Sequence, residues 1–120
     1  MPRLRTTGLR TLLVLLVAAF GLLAFPVAAS AHTEFEGSTP ADGAQVPGPL
    51  DRVVVTFTKP ATPSGDGLVL LGADGQEIPT SLEERGAEFV LVPVTPLPAG
   101  AYGVRWEVRA GDAHPIDGSF

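Results

Sequence analysis

The sequence holds 120 residues, 13 acidic against eight basic, with a net charge of −5 and no cysteine. That length suits one domain, the acidic balance disfavours nucleic-acid phosphate and anionic lipid as partners, and the lack of cysteine excludes the disulfide scaffold on which small exported domains often rely.

The opening residues read as an export signal. Arg3, Arg5 and Arg10 make a basic start, an apolar run over residues 12–27 follows, and Ala29-Ser30-Ala31 supplies the small residues that signal peptidase accepts. Gly21 and Pro26 interrupt the run, which is short against the about 20 residues of a membrane span. The expectation is a cleavable secretory signal over 1–31 and a mature domain over 32–120, exported to the periplasmic space or the outer face of the cytoplasmic membrane. Membrane association is expected only if the leader stays uncut or the chain continues past Phe120.

Taking 31 residues from 120 leaves 89, with five basic residues against 13 acidic ones and a net charge of −8. The single methionine, Met1, leaves with the signal. Copper(I), which prefers thiolate and thioether ligands, then has none, and any metal held by the mature chain must accept nitrogen and oxygen.

Beyond the leader no stretch has helical periodicity, and several short segments alternate as half-buried strands do. Val53, Val55 and Phe57 share a face opposite Arg52, Val54, Thr56 and Thr58. Residues 68–71 and 89–92 are shorter apolar runs. The clearest strand covers 102–109, where Tyr102, Val104, Trp106 and Val108 oppose Gly103, Arg105, Glu107 and Arg109.

Turn signals separate these segments at Pro40-Ala41-Asp42-Gly43, Pro47-Gly48-Pro49, Pro63-Ser64-Gly65, Ala73-Asp74-Gly75 and Pro98-Ala99-Gly100. Asp74-Gly75 is the strongest, because both residues tolerate the positive φ of a tight hairpin. About seven short strands with frequent turns define an all-β chain, a small immunoglobulin-like antiparallel β-sandwich or Greek-key barrel. Residues 116–120 read as a turn entering a strand of only two or three residues. The final strand is therefore expected to be truncated, and the sequence to be a fragment of a longer chain.

His32 and His114 are the only histidines. Cleavage after Ala31 would give His32 a free α-amine beside its imidazole Nδ1, two nitrogens that close a chelate ring at little further entropic cost. Asp112 and His114 are one residue apart, so in an extended segment both project to the same side. Together these donors make an N,N,N,O set that suits tetragonal copper(II), with tetrahedral zinc a weaker fit. Against this stands an ordinary loop reading, in which Asp112 caps a turn and His114-Pro115 is a loop dipeptide; the coincidence of a free terminus at His32 favours the metal.

Other chemistry fares worse. Neither histidine lies in a nucleophile motif, residues 111–118 lack the lysine of a phosphate loop, and Glu34, Glu36, Glu83 and Glu84 read as solvated surface. Trp106 falls on the apolar face of its strand, a core residue whose indole N–H needs a partner.

With His32 first, then "STPADGAQV" at 38–46, "LDRVVVTFTKP" at 50–60, "LPAGAYGVRWEV" at 97–108 and "GDAHPIDGSF" at 111–120, the mature sequence resembles the CopC family of exported copper-binding domains over essentially all of 32–120. The resemblance implies a β-sandwich holding one copper(II) ion through the terminal amine and side chain of His32 together with Asp112 and His114. It also implies a role in copper tolerance or uptake, sequestering copper or passing it to a CopD-like membrane protein, without catalysis. The methionine-rich copper(I) loop of some members is absent.

Two departures stand out. Ala113 replaces the family's usual glycine between aspartate and histidine, where a left-handed backbone would cost roughly 1 kcal/mol, and the family's final strand continues past the position of Phe120. Two other readings compete: an oxidative copper centre like that of the polysaccharide monooxygenases, and a metal-free immunoglobulin-like interaction module retained at the membrane by an uncut leader.

Overall fold

Alternation of apolar and polar residues places one row of side chains from each central strand in a shared interior. The computed structural model describes residues 32–120 together with Val14 and Leu15, so the rest of the expected signal, and the expected cleavage with it, lies outside the described residues. The unit His32–Phe120 contains eight strands: β1 (Phe35–Thr39), β2 (Val53–Phe57), β3 (Ala61–Gly72), β4 (Glu77–Ile78), β5 (Thr80–Arg85), β6 (Glu88–Pro93), β7 (Tyr102–Ala110) and β8 (Pro115–Ser119). They form two four-stranded sheets, ordered β1-β2-β6-β5 and β4-β3-β7-β8, and every pairing is antiparallel. The chain passes between sheets after β2, β4 and β6, the arrangement of an immunoglobulin-like sandwich.

The inner faces of β2, β6, β3 and β7 supply the core. Val55, Phe89, Leu91 and Val108 have no exposed surface, and Val53, Phe57, Leu68, Leu70, Val104 and Trp106 are all buried with them. Phe57 lies edge-on to Phe89 at 5.7 Å and to Trp106 at 6.1 Å between ring centroids, the offset geometry aromatic rings prefer. Phe35 stacks on Trp106 at 4.6 Å, bolting the edge strand β1 onto the opposite sheet. Gly118, the partner of Trp106 across β7 and β8, lies beneath the indole, where a Cβ would overlap the ring. The core position expected for Trp106 holds, but its buried Nε1 has no hydrogen-bond partner among the described residues.

Four features depart from the sequence reading. β3 is a 12-residue strand and extends well before the apolar run at 68–71. The expected turn at Pro63-Ser64-Gly65 is an irregularity inside it, where pairing with β7 passes from Pro63–Val108 to Leu68–Trp106; residues 64–67 bulge opposite Glu107 and bend the strand. The polar segments β1 and β5 lack apolar alternation because both are edge strands, and β4 spans only two residues, which brings the number to eight where about seven were expected.

β8 runs the five residues Pro115–Ser119, not two or three. The hairpin before it is tight, so pairing begins at once with Arg109–Pro115, and proline is tolerated as the first residue of an edge strand. Phe120 adds two backbone bonds to Val104, at 2.9 and 3.0 Å.

Candidate metal centre

The hairpin joining β7 to β8 carries two of the three expected ligands. Ala113 N–H donates to Ala110 O at 2.9 Å and Ala110 N–H donates to His114 O at 3.0 Å, so Gly111, Asp112 and Ala113 form a three-residue loop. This is a turn followed by a left-handed residue, the common three-residue hairpin. Ala113 occupies the left-handed position with φ of 66°, as the expected strain requires. The hairpin between β3 and β4 has the same bonds, Gly75 N–H to Gly72 O at 3.0 Å and Gly72 N–H to Gln76 O at 2.9 Å. There the left-handed residue is Gly75, with φ of 76°.

Ala113→Gly is therefore expected to stabilise the domain by up to about 1 kcal/mol, since glycine takes positive φ without a Cβ clash but loses more backbone entropy on folding. For a domain of this size the thermal unfolding midpoint should rise by a few degrees. A lowered midpoint would contradict the strain assigned to Ala113.

Asp112 grips His114 through both carboxylate oxygens. Oδ1 accepts the His114 backbone N–H at 3.2 Å, and Oδ2 lies 2.9 Å from His114 Nδ1. These bonds, the side-chain one first, hold the Asp112 carboxyl below its ordinary value of 3.8. A carboxylate on Nδ1 orients an imidazole so that Nε2 is turned outward for a ligand. Both side chains are exposed, 76% for His114 and 44% for Asp112, so an ion or a partner reaches them from solvent.

His32 is exposed just ahead of β1, while Thr33 beside it is buried. Glu34 N–H donates to Thr58 Oγ1 at 2.9 Å, and Thr58 N–H donates to Glu34 O at 2.8 Å. Three residues beyond Thr58, Ala61 pairs with Ala110 at the base of the Asp112–His114 hairpin. Three residues of extended chain span at most about 11 Å. The arm bearing His32 and the hairpin bearing Asp112 and His114 thus lie at the same end of the sandwich.

Asp112 and His114 are brought together directly; His32 does not join them. Among the described residues no three histidine, aspartate or glutamate side chains stand as a group able to hold a metal. In the uncut chain the backbone nitrogen of His32 is an amide to Ala31, so the amine donor exists only once that bond is broken. Glu34, Glu36, Glu83 and Glu84 are all exposed, and Glu83 pairs with Arg85 at 2.6 Å, in keeping with solvated surface. The sequence reading did not single out Thr58, because a threonine closing an alternating strand carries no sign of a partner 24 residues away.

A small antiparallel sandwich with an exposed aspartate–histidine pair on one hairpin and a second histidine at the same end is a defined class of molecule. The CopC domain model matches residues 35–120, and the chain belongs to the CopC family. It is 34% identical over 119 residues to Copper resistance protein C of Pseudomonas syringae pv. tomato, covering 92% of each chain. To the protein of that name from Escherichia coli it is 32% identical over 102 residues, covering 77% of this chain and 80% of the relative. The crystal structure of CopC from Methylosinus trichosporium OB3b superposes with a TM-score of 0.65 at 19% identity, over 74% of this chain and 89% of that one, and shares the fold. The crystal structure of PcoC, a copper resistance protein from Escherichia coli, gives a TM-score of 0.59 at 26% identity, over 72% and 94% of the two chains.

Proposed function

We propose that this chain is an exported copper(II)-binding protein serving copper homeostasis and resistance. It takes one copper(II) ion as cargo, which it sequesters or passes to a membrane partner of the CopD kind. The ligands are the α-amine and Nδ1 of His32, an imidazole nitrogen of His114 and the carboxylate of Asp112, which turns from His114 Nδ1 to the ion on binding. The donor chemistry fits: the mature chain offers nitrogen and oxygen and no sulfur, the set copper(II) prefers over other divalent ions. The observation that carries the reading is the placement of His32 and the Asp112–His114 hairpin at one end of the sandwich.

The role is binding and not catalysis. Trp106 is buried in the core, and Tyr102, half-buried, spends its hydroxyl on Pro98 O at 2.6 Å. Neither forms the exposed aromatic platform that a polymer-cleaving copper enzyme would need.

The test is a copper(II) titration of exported protein whose amino terminus is verified at His32 by mass spectrometry, with electron paramagnetic resonance of the product. One equivalent bound through three nitrogens and one oxygen is the expected result. A mass beginning at Met1, or no copper(II) uptake by processed protein, would overturn the proposal.

Acid should weaken binding. Metal competes with protons for amine and imidazole nitrogens, so the apparent affinity should drop steadily from pH 8 to pH 5. Asp112 does not contribute to this fall: its bonds to His114 hold its carboxyl below the ordinary value, so it stays ionised across that window. An affinity flat between pH 8 and 5 would show that nitrogen donors do not hold the ion.

A further inference from the structure

Thr58 is exposed, adds nothing to the core and lies outside β2 and β3, yet both its backbone and its side chain are committed to Glu34. The registered pairing of β1 with β2 begins at Phe35–Phe57. The Glu34–Thr58 pair is therefore the last rung before the amino-terminal arm. One of its bonds is backbone to backbone, at 2.8 Å. The other runs from Glu34 N–H to the threonine hydroxyl, at 2.9 Å, and is the one a side-chain substitution removes. Beyond this rung Thr33 is buried, so His32 alone projects.

We infer that Thr58 is a positioning residue for the amino-terminal chelate, holding the arm so that His32 is presented at the end of the sandwich where Asp112 and His114 stand. This rests on the reading of His32 as a ligand. Every backbone residue left free before binding must be frozen when the ion arrives, which lowers affinity by about fivefold to thirtyfold per residue. A hydrogen bond that fixes Glu34 in advance spares part of that loss. A single such bond corresponds to about fivefold in an equilibrium constant. Thr58 touches neither the ion nor its ligands in this scheme; it acts through the backbone two residues from His32.

The experiment compares processed protein, verified to begin at His32, as wild type, Thr58→Val and Thr58→Ser, by copper(II) titration against a competing chelator. Thr58→Val keeps the shape and the backbone bond but loses the hydroxyl. It should bind copper(II) about fivefold to tenfold more weakly, while the unfolding midpoint of the metal-free protein falls by no more than a few degrees. Thr58→Ser restores the acceptor and should return the affinity close to wild type. In protein carrying one extra residue ahead of His32, where the amine chelate cannot form, Thr58→Val should cause no further loss. Wild-type affinity in Thr58→Val, failure of serine to restore it, or an equal loss in the extended protein would each overturn the inference while leaving the copper reading intact. Absence of copper(II) binding by the processed wild type would instead remove the reading on which the inference stands.

Discussion

Copper(II) affinity is expected to fall by roughly a hundredfold or more when a single residue is placed ahead of His32, with the fold unchanged. Loss of a mere outer-shell partner already costs about ten- to a hundredfold in metal affinity, and the extension removes a direct donor together with the ring it closes. The α-amine moves one residue away, the His32 nitrogen becomes an amide, and the chelate ring closed by the amine and Nδ1 of one histidine can no longer form. His32 lies ahead of β1 and outside the registered pairing that begins at Phe35, so unfolding by heat or denaturant should match the unextended protein. Acetylating the amine should act in the same way. Equal affinity with and without the extension would show that the terminal nitrogen is no ligand, and the site would have to be rebuilt around His114 and Asp112 alone.

Phe57→Ala should be the most damaging core change, at about 3–5 kcal/mol. Phe57 is 1% exposed and its ring meets Phe35, Phe89 and Trp106, which come from β1, β6 and β7. Truncation opens a space beneath both sheets, and the surrounding rings are held by separate strands and cannot all close on it. Since small domains have total stabilities of only about 5–15 kcal/mol, the loss is a large share of the whole. Urea unfolding of metal-free protein measures it. A loss under about 1 kcal/mol would mean that the aromatic contacts between the sheets count for little.

The central strands were legible because burial on one face leaves a period of two. Val53, Val55 and Phe57 in β2 and Val104, Trp106 and Val108 in β7 alternate as read, and each is buried. The edges were not legible: β1 and β5 are held by backbone pairing to β2 and β6, and pairing leaves no trace in side-chain chemistry. The first half of β3 was hidden for a related reason, since Pro63, Ser64 and Gly65 spell a turn locally while pairing with β7 carries the strand through. At the candidate site, Asp112 and His114 were singled out from spacing, and their contact with each other follows from the hairpin. The anchoring of the His32 arm depends on a contact between segments 24 residues apart, which no local motif announces.

The two matching hairpins give the molecule an internal reference. Asp74 stands in its loop where Asp112 stands in the other, and its Oδ1 accepts the Gln76 N–H at 3.1 Å as Asp112 Oδ1 accepts that of His114 at 3.2 Å. Asp74 therefore reports what an acidic side chain does for this loop shape with no imidazole beside it, and subtracting its contribution from that of Asp112 isolates what the second hairpin has in excess. The two loops share one backbone shape with Gln76 standing in the first where His114 stands in the second, so only the second sets an imidazole against its carboxylate.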